Sequence, residues 1–143
     1  MRRVYFIGVL AMLVILVATS SAFAWDEEIL NGHYSYRSKD LSISFDWKLN
    51  GITRLRINSR DFSDNQVSLD HFGDTECYQI RVRESQTQTK IIRLVFLVRK
   101  KNVAFVSGYF AELSNLTEDG DFKVAFVRAI VMRYKPLSPK ELE

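Results

Sequence analysis

The segment Leu41 to Leu49 reads L-S-I-S-F-D-W-K-L, with apolar and polar side chains in strict alternation. A period of two puts Leu41, Ile43, Phe45, Trp47 and Leu49 on one face of a strand and Ser42, Ser44, Asp46 and Lys48 on the other, whereas a helix would scatter them around its circumference. One such strand needs neighbours for its backbone and a cover for its apolar face, so further strands have to follow. Asn50-Gly51 marks the first reversal. A three-residue loop, Leu49-Asn50-Gly51, with Gly51 in the left-handed position of a bulge, pairs Trp47 with Thr53, Phe45 with Leu55 and Ile43 with Ile57. That register sets Asp46 opposite Arg54 on the solvated face.

More runs of the same kind come later: Val67 with Leu69, Tyr78 with Ile80 and Val82, Ile91 to Val98, and Val103 to Leu113. The run Ile91 to Val98 is apolar on nearly both faces, interrupted by Arg93, which suits a central or covered strand. Gly108 marks a bulge or a close backbone approach. Strands are therefore expected near 41–49, 52–59, 66–70, 76–84, 90–99 and 103–113. Phe122 to Tyr134 satisfies both periods, alternating at Phe122, Val124, Phe126, Ile130 and Met132 while making a helical stripe of Phe122, Ala125, Phe126, Ala129 and Ile130. Acidic Glu118, Asp119 and Asp121 before it, with Arg128, Arg133, Lys135 and Pro136 toward its end, favour a helix near 121–134. Were this segment a strand, an up-and-down, lipocalin-like barrel would be the better description.

The chain opens with Met1-Arg2-Arg3, an apolar run from Val4 to Ala18, and Ala22-Phe23-Ala24. This is the layout of a secretory signal peptide, cut after Ala24, and the apolar run is short of the roughly 20 residues a spanning helix needs. Four parts follow: a signal peptide at 1–24, an N-terminal arm at 25–40 with at most a short edge strand, a β-barrel with its helix at 41–135, and a tail at 136–143. The expected location is periplasmic or secreted, with membrane contact only during export. Without Arg2 and Arg3 the 20 basic residues become 18 against 17 acidic ones, a net charge near +1, which gives no polyanion-binding surface and no nucleic-acid partner. Cys77 is the single cysteine, so no internal disulfide contributes.

Between the second and third expected strands lies Ser59 to Asp70, S-R-D-F-S-D-N-Q-V-S-L-D. Its short polar side chains hydrogen-bond their own backbone and gather where a chain reverses, so the plain reading is a hairpin turn. Asp61 to Gln66 also resembles the D-x-S-x-x-G segment of PilZ domains, with Gln66 in the glycine position. Leu94 to Arg99 is similar to that family's strand ending in arginine, and Ser107 to Leu113 to its G-x-x-F-x-x-L, with Ser107 in the glycine position. The resemblance spans roughly residues 33 to 134. It implies a mainly β fold, a six-stranded antiparallel barrel with a C-terminal α-helix, and binding of cyclic di-GMP.

The same resemblance implies the site. Its arginine arm falls on His33 and Arg37, and its turn residues on Asp61, Ser63 and Gln66. Histidine cannot copy the bidentate, always-charged grip of arginine on phosphate or guanine, and a left-handed backbone at Gln66 would cost about 1–2 kcal/mol. Cyclic di-GMP binding is accordingly expected to be weak or lost. The alternative is an exported barrel binding an envelope protein or a small apolar ligand, with no nucleotide. No catalytic constellation, metal-ligand spacing or cofactor motif is present: Ser63 has no base, His33 and His71 lack clustered partners, and Arg54, Arg56, Arg81 and Arg83 read as a solvated face. The expectation is a binding module, not an enzyme, with no cofactor.

Overall fold

The computed structural model describes residues 27–49, 51–73, 75–114 and 117–143. The signal peptide expected over 1–24 lies outside them. The described residues form one antiparallel sheet, curled into a half-barrel. Its strands are β1 (Gly32–Arg37), β2 (Ser42–Lys48), β3 (Gly51–Ile57), β4 (Arg60–Asp61), β5 (Val67–His71), β6 (Cys77–Arg83), β7 (Gln88–Arg99), β8 (Asn102–Ser114) and β9 (Lys123–Lys135). In space the order is β4-β3-β2-β1-β9-β8-β7-β6-β5. Every neighbouring pair is consecutive in sequence except β1 with β9, and the consecutive strands left unpaired are β4 and β5. This is the order of an up-and-down barrel whose seam is open between β4 and β5. Among the described residues no helix is long and apolar enough to cross a membrane.

The helix expected near 121–134 is instead β9, which ladders with β8 from Val106↔Met132 to Ser114↔Lys123 and with β1 at His33↔Lys135 through Ser35↔Arg133. Four β-branched residues, Val124, Val127, Ile130 and Val131, and with them the aromatics Phe126 and Tyr134, favour the pleated backbone. The acidic residues that suggested a helix start belong to a turn: the Thr117 N–H donates to the Asp121 carbonyl at 2.9 Å, and the Gly120 N–H to the Thr117 carbonyl at 3.0 Å, with Gly120 at φ 83°.

With β9, two more strands, β1 and β4, raise the expected six to nine. The segment read as an arm contains β1, which lies between β2 and β9 and so joins the two halves of the sheet. The polar stretch is not a plain hairpin either. The reversal falls one step earlier, at Asn58 and Ser59, whose φ values of 52° and 74° are the left-handed pair of a tight turn. After it, β4 is only two residues long, and Phe62 to Gln66 cross the open seam to β5.

The register of the first hairpin holds at Ile43↔Ile57 and then slips, because the bulge sits at Arg54 and not at Gly51. Arg54, at φ 52°, is the extra residue, so Trp47 meets Ile52 rather than Thr53. Gly108 is the close approach expected of it: a β-carbon there would collide with the Arg93 carbonyl oxygen.

The concave side is filled. Tyr34 on β1 stacks on Phe45 at 5.2 Å and meets Phe96 of β7 edge-on at 5.8 Å, while Trp47 meets Tyr78 at 4.9 Å and Phe96 at 5.4 Å. Strands β1 and β2 thus reach β6 and β7 across the interior. Such pairs add about 0.5–1.5 kcal/mol each beyond the burial of their area. A 3₁₀ turn, Glu27–Leu30, packs Leu30 into the same core, and its carbonyl accepts the buried Tyr34 hydroxyl at 2.6 Å. Burial and the nearby Tyr134 push the Tyr34 hydroxyl far above its usual range.

Candidate functional site

On β1 the alternation turns Tyr34 inward and His33, Ser35 and Arg37 outward. His33 stands opposite Asp46, and its Nδ1 lies 2.6 Å from Asp46 Oδ1. From the other side the bulge at Arg54 turns its guanidinium back over β2, so that Nε donates to Asp46 Oδ2 at 2.6 Å and Nη2 donates to the same oxygen. Asp46 belongs to the outer face by register, yet its side chain is only 1% exposed because these two neighbours cover it. Arg54 is the partner expected for it, but the face is not wet there. Burial pushes the carboxyl up; the hydrogen bonds from His33 and Arg54 outweigh that and hold it below its ordinary value.

The turn residues are likewise engaged. Asp61 takes a two-pronged contact from Arg56, Nε to Oδ1 at 2.7 Å and Nη2 to Oδ2 at 3.0 Å, and that hydrogen bonding holds its carboxyl below the usual range. Ser63 begins a short 3₁₀ turn, Asp64–Gln66, in which the Gln66 side-chain carbonyl accepts the Ser63 hydroxyl at 2.9 Å and the Ser63 N–H at 3.2 Å. This capping arrangement satisfies a turn's free donors from within. The Gln66 amide then donates to the Arg83 carbonyl at 3.3 Å, tying the crossing segment to β6. Gln66 is not among the residues with positive φ, so the position asks for no glycine.

The five residues do not converge. His33 and Arg37 are four residues apart on β1, about 13 Å, and Asp61 is three strands away, about 14 Å along the sheet. The side chain of Arg37, opposite Ser42 at the end of β1, makes no ion pair or hydrogen bond with the described residues. Of the five it alone has an unengaged charge.

Elsewhere the outer surface divides in two. Over β1 to β3 it carries His33, Ser35, Arg37, Ser42, Ser44, Arg54 and Arg56. Over β7 to β9 the ladder aligns Leu97 with Phe105, Val95 with Ser107 and Val131, and Ile91 with Ala111 and Val127. Val95, Leu97, Phe105, Val127 and Val131 are each between 43% and 57% exposed. Arg93, the one charge of its run, lies in this field with Nη2 donating to Gln79 at 2.8 Å and its guanidinium between the Phe72 and Tyr109 rings, 4.8 and 5.6 Å away. The open seam forms a third feature, a cleft of about 460 Å³ between Ile52 and Thr53 on β3 and Val67 and Leu69 on β5, with Lys48 and Asp64 at its rim.

Neither the junction at Asp46 nor the outward valines of β9 are among the site residues expected from the sequence. The first had a signal, a carboxylate amid aromatics with Arg54 in reach; the second was hidden by reading the segment as a helix. Among the described residues no group of three or more histidine, cysteine, aspartate or glutamate side chains is placed to hold a metal. No protein-family model, no curated protein and no solved structure matches the chain.

Proposed function

We propose that the protein is an exported binding module, not an enzyme, that meets an envelope protein on the outer face of β7, β8 and β9. The observation that carries this is the asymmetry of one sheet: its outer face is charged and hydroxylic over β1 to β3 but apolar over β7 to β9, where six large side chains, Val124 with the five above, stand about half exposed. An antiparallel sheet facing water is ordinarily polar on that side, and a contiguous apolar field marks a docking surface. Export is supported by the basic head, apolar run and small-residue end of residues 1–24. An apolar ligand held inside the barrel fits poorly, because Tyr34, Phe45, Trp47, Tyr78 and Phe96 already fill the interior.

The resemblance to PilZ domains enters this reading as a degenerate site. His33, Asp61, Ser63 and Gln66 each have a partner within the sheet, and a nucleotide would have to break those contacts to use them. Cyclic di-GMP binding is therefore weak or lost, with Arg37 carrying whatever remains.

The test is photo-crosslinking in the producing cell, with the cross-linking residue placed at Val131 or, on the polar half, at Arg56. A discrete adduct with a second protein from 131, none from 56, and its loss on Val95→Asp is the expected pattern. Equal adducts from both positions, or none from 131, would overturn the reading, and an adduct of twice the chain's own mass would replace the envelope partner by a second copy.

A further inference from the structure

At the other end of the outer face, strands β6, β7 and β8 and the approach to β9 enclose a groove of about 770 Å³. The ladder assembles its walls. Arg81 lies opposite Ile91 and Arg83 opposite Thr89, which in turn lies opposite Leu113, so all five side chains share the outward face. Phe122, 54% exposed, stands on the segment leading into β9 and completes the lining.

The two sides of the groove differ in chemistry. Arg81 and Arg83 are two residues apart on one face of β6, roughly 7 Å, close enough for like charges to repel. Arg81 approaches Asp70 at 3.7 Å, beyond hydrogen-bond range, and the Arg83 guanidinium makes no ion pair or hydrogen bond with the described residues. Ile91, Leu113 and Phe122 supply an apolar wall beside them. The one carboxylate among the described lining residues, Glu118, belongs to the loop before β9, with β7 and β8 between it and Arg83. The volume falls within the range of small-molecule sites, about 300–1,000 Å³.

From this juxtaposition we infer that the groove binds an amphipathic anion, an acyl chain with a carboxylate or phosphate head. The head lies on the Arg83 and Arg81 guanidiniums, where it relieves their repulsion through charge-assisted hydrogen bonds. The chain lies along Ile91, Leu113 and Phe122, where burying apolar surface contributes about 25 cal/mol per Å². The groove adjoins the surface proposed for the protein partner and shares Ile91 with it, but its arginines lie outside that surface and the inference stands or falls without it.

Calorimetry of the purified protein with dodecyl phosphate and dodecanoate, each below its micellar concentration, tests the inference. Inorganic phosphate serves as head alone and dodecyl maltoside as a neutral tail. One-to-one binding of at least one of the two anions in the micromolar range is expected, and which one binds identifies the head. Arg83→Gln and Phe122→Ser, both exposed positions whose folding is checked by circular dichroism, each weaken it roughly tenfold or more. Inorganic phosphate binding as tightly would reduce the groove to a simple anion site, and the maltoside binding as tightly would reduce it to a bare apolar surface. Either result, an absence of heat with both anions, or an Arg83→Gln variant equal to wild type overturns the inference.

Discussion

Replacing Asp46 by asparagine keeps the shape of the side chain and removes its charge from the junction of β1, β2 and β3. In the wild type both oxygens are used: Oδ1 faces His33 at 2.6 Å, and Oδ2 accepts two donors of Arg54, the Nε contact at 2.6 Å. Hydrogen bonds to a charged group contribute about 1.5–3 kcal/mol. Asparagine retains one neutral acceptor and turns an NH₂ toward the other partner. Arg54 is mostly exposed and rehydrates when released, which reduces the loss. A net cost of about 2 kcal/mol follows, or a fall in Tm of roughly 6–12 °C for a domain of this size. Urea unfolding followed through the fluorescence of Trp47, itself buried, measures it.

The pH dependence separates this account from a packing defect. The folded carboxyl titrates below its unfolded value of about 3.9, so the wild-type advantage is fully present above that pH and is lost as pH falls through the lower folded value. The gap between wild type and Asp46→Asn should be about 2 kcal/mol at pH 7 and should begin to close below about pH 4, narrowing as pH falls through the lower folded value. A variant as stable as wild type at pH 7, or a gap unchanged at pH 3, would show that the charge does not hold the three strands together.

Two further substitutions probe the sheet. Gly108→Ala forces a β-carbon onto the Arg93 carbonyl and is expected to cost at least about 3 kcal/mol, whereas Gly120→Ala, at φ 83° in open space, costs about 1–2 kcal/mol; thermal melts compare them. Phe96→Ala removes the ring shared by Tyr34, Trp47 and Tyr78 and should cost about 3–5 kcal/mol in urea unfolding, with a shift in Trp47 emission.

What could be read from the chain beforehand was local. Alternation from Leu41 to Leu49 and from Tyr78 to Val82 requires nothing beyond the strand itself, and the strands 42–48, 51–57, 67–71, 77–83, 88–99 and 102–114 fall within two residues of expectation. The last segment was illegible because its apolar residues satisfy both periods, and what settles it is pairing with β8 and β1, whose partners lie from nine to over a hundred residues away in sequence. The short run Gly32–Arg37 has too little alternation to mark a strand by itself and becomes central only because β2 and β9 flank it. Among the site residues the side-chain types were visible but their partners were not. Nothing local to His33 announces Asp46, and nothing local to Asp61 says that Arg56, one turn back, occupies its carboxylate.

The central claim is that the residues resembling a nucleotide site hold the sheet together instead of a ligand. The most direct test is calorimetric titration of the purified protein with cyclic di-GMP, beside Arg37→Ala. The account predicts no saturable heat from either protein below roughly 100 μM ligand, a weakening that follows from about 3 kcal/mol lost at an otherwise micromolar site. Micromolar binding by wild type, abolished by Arg37→Ala, would contradict it.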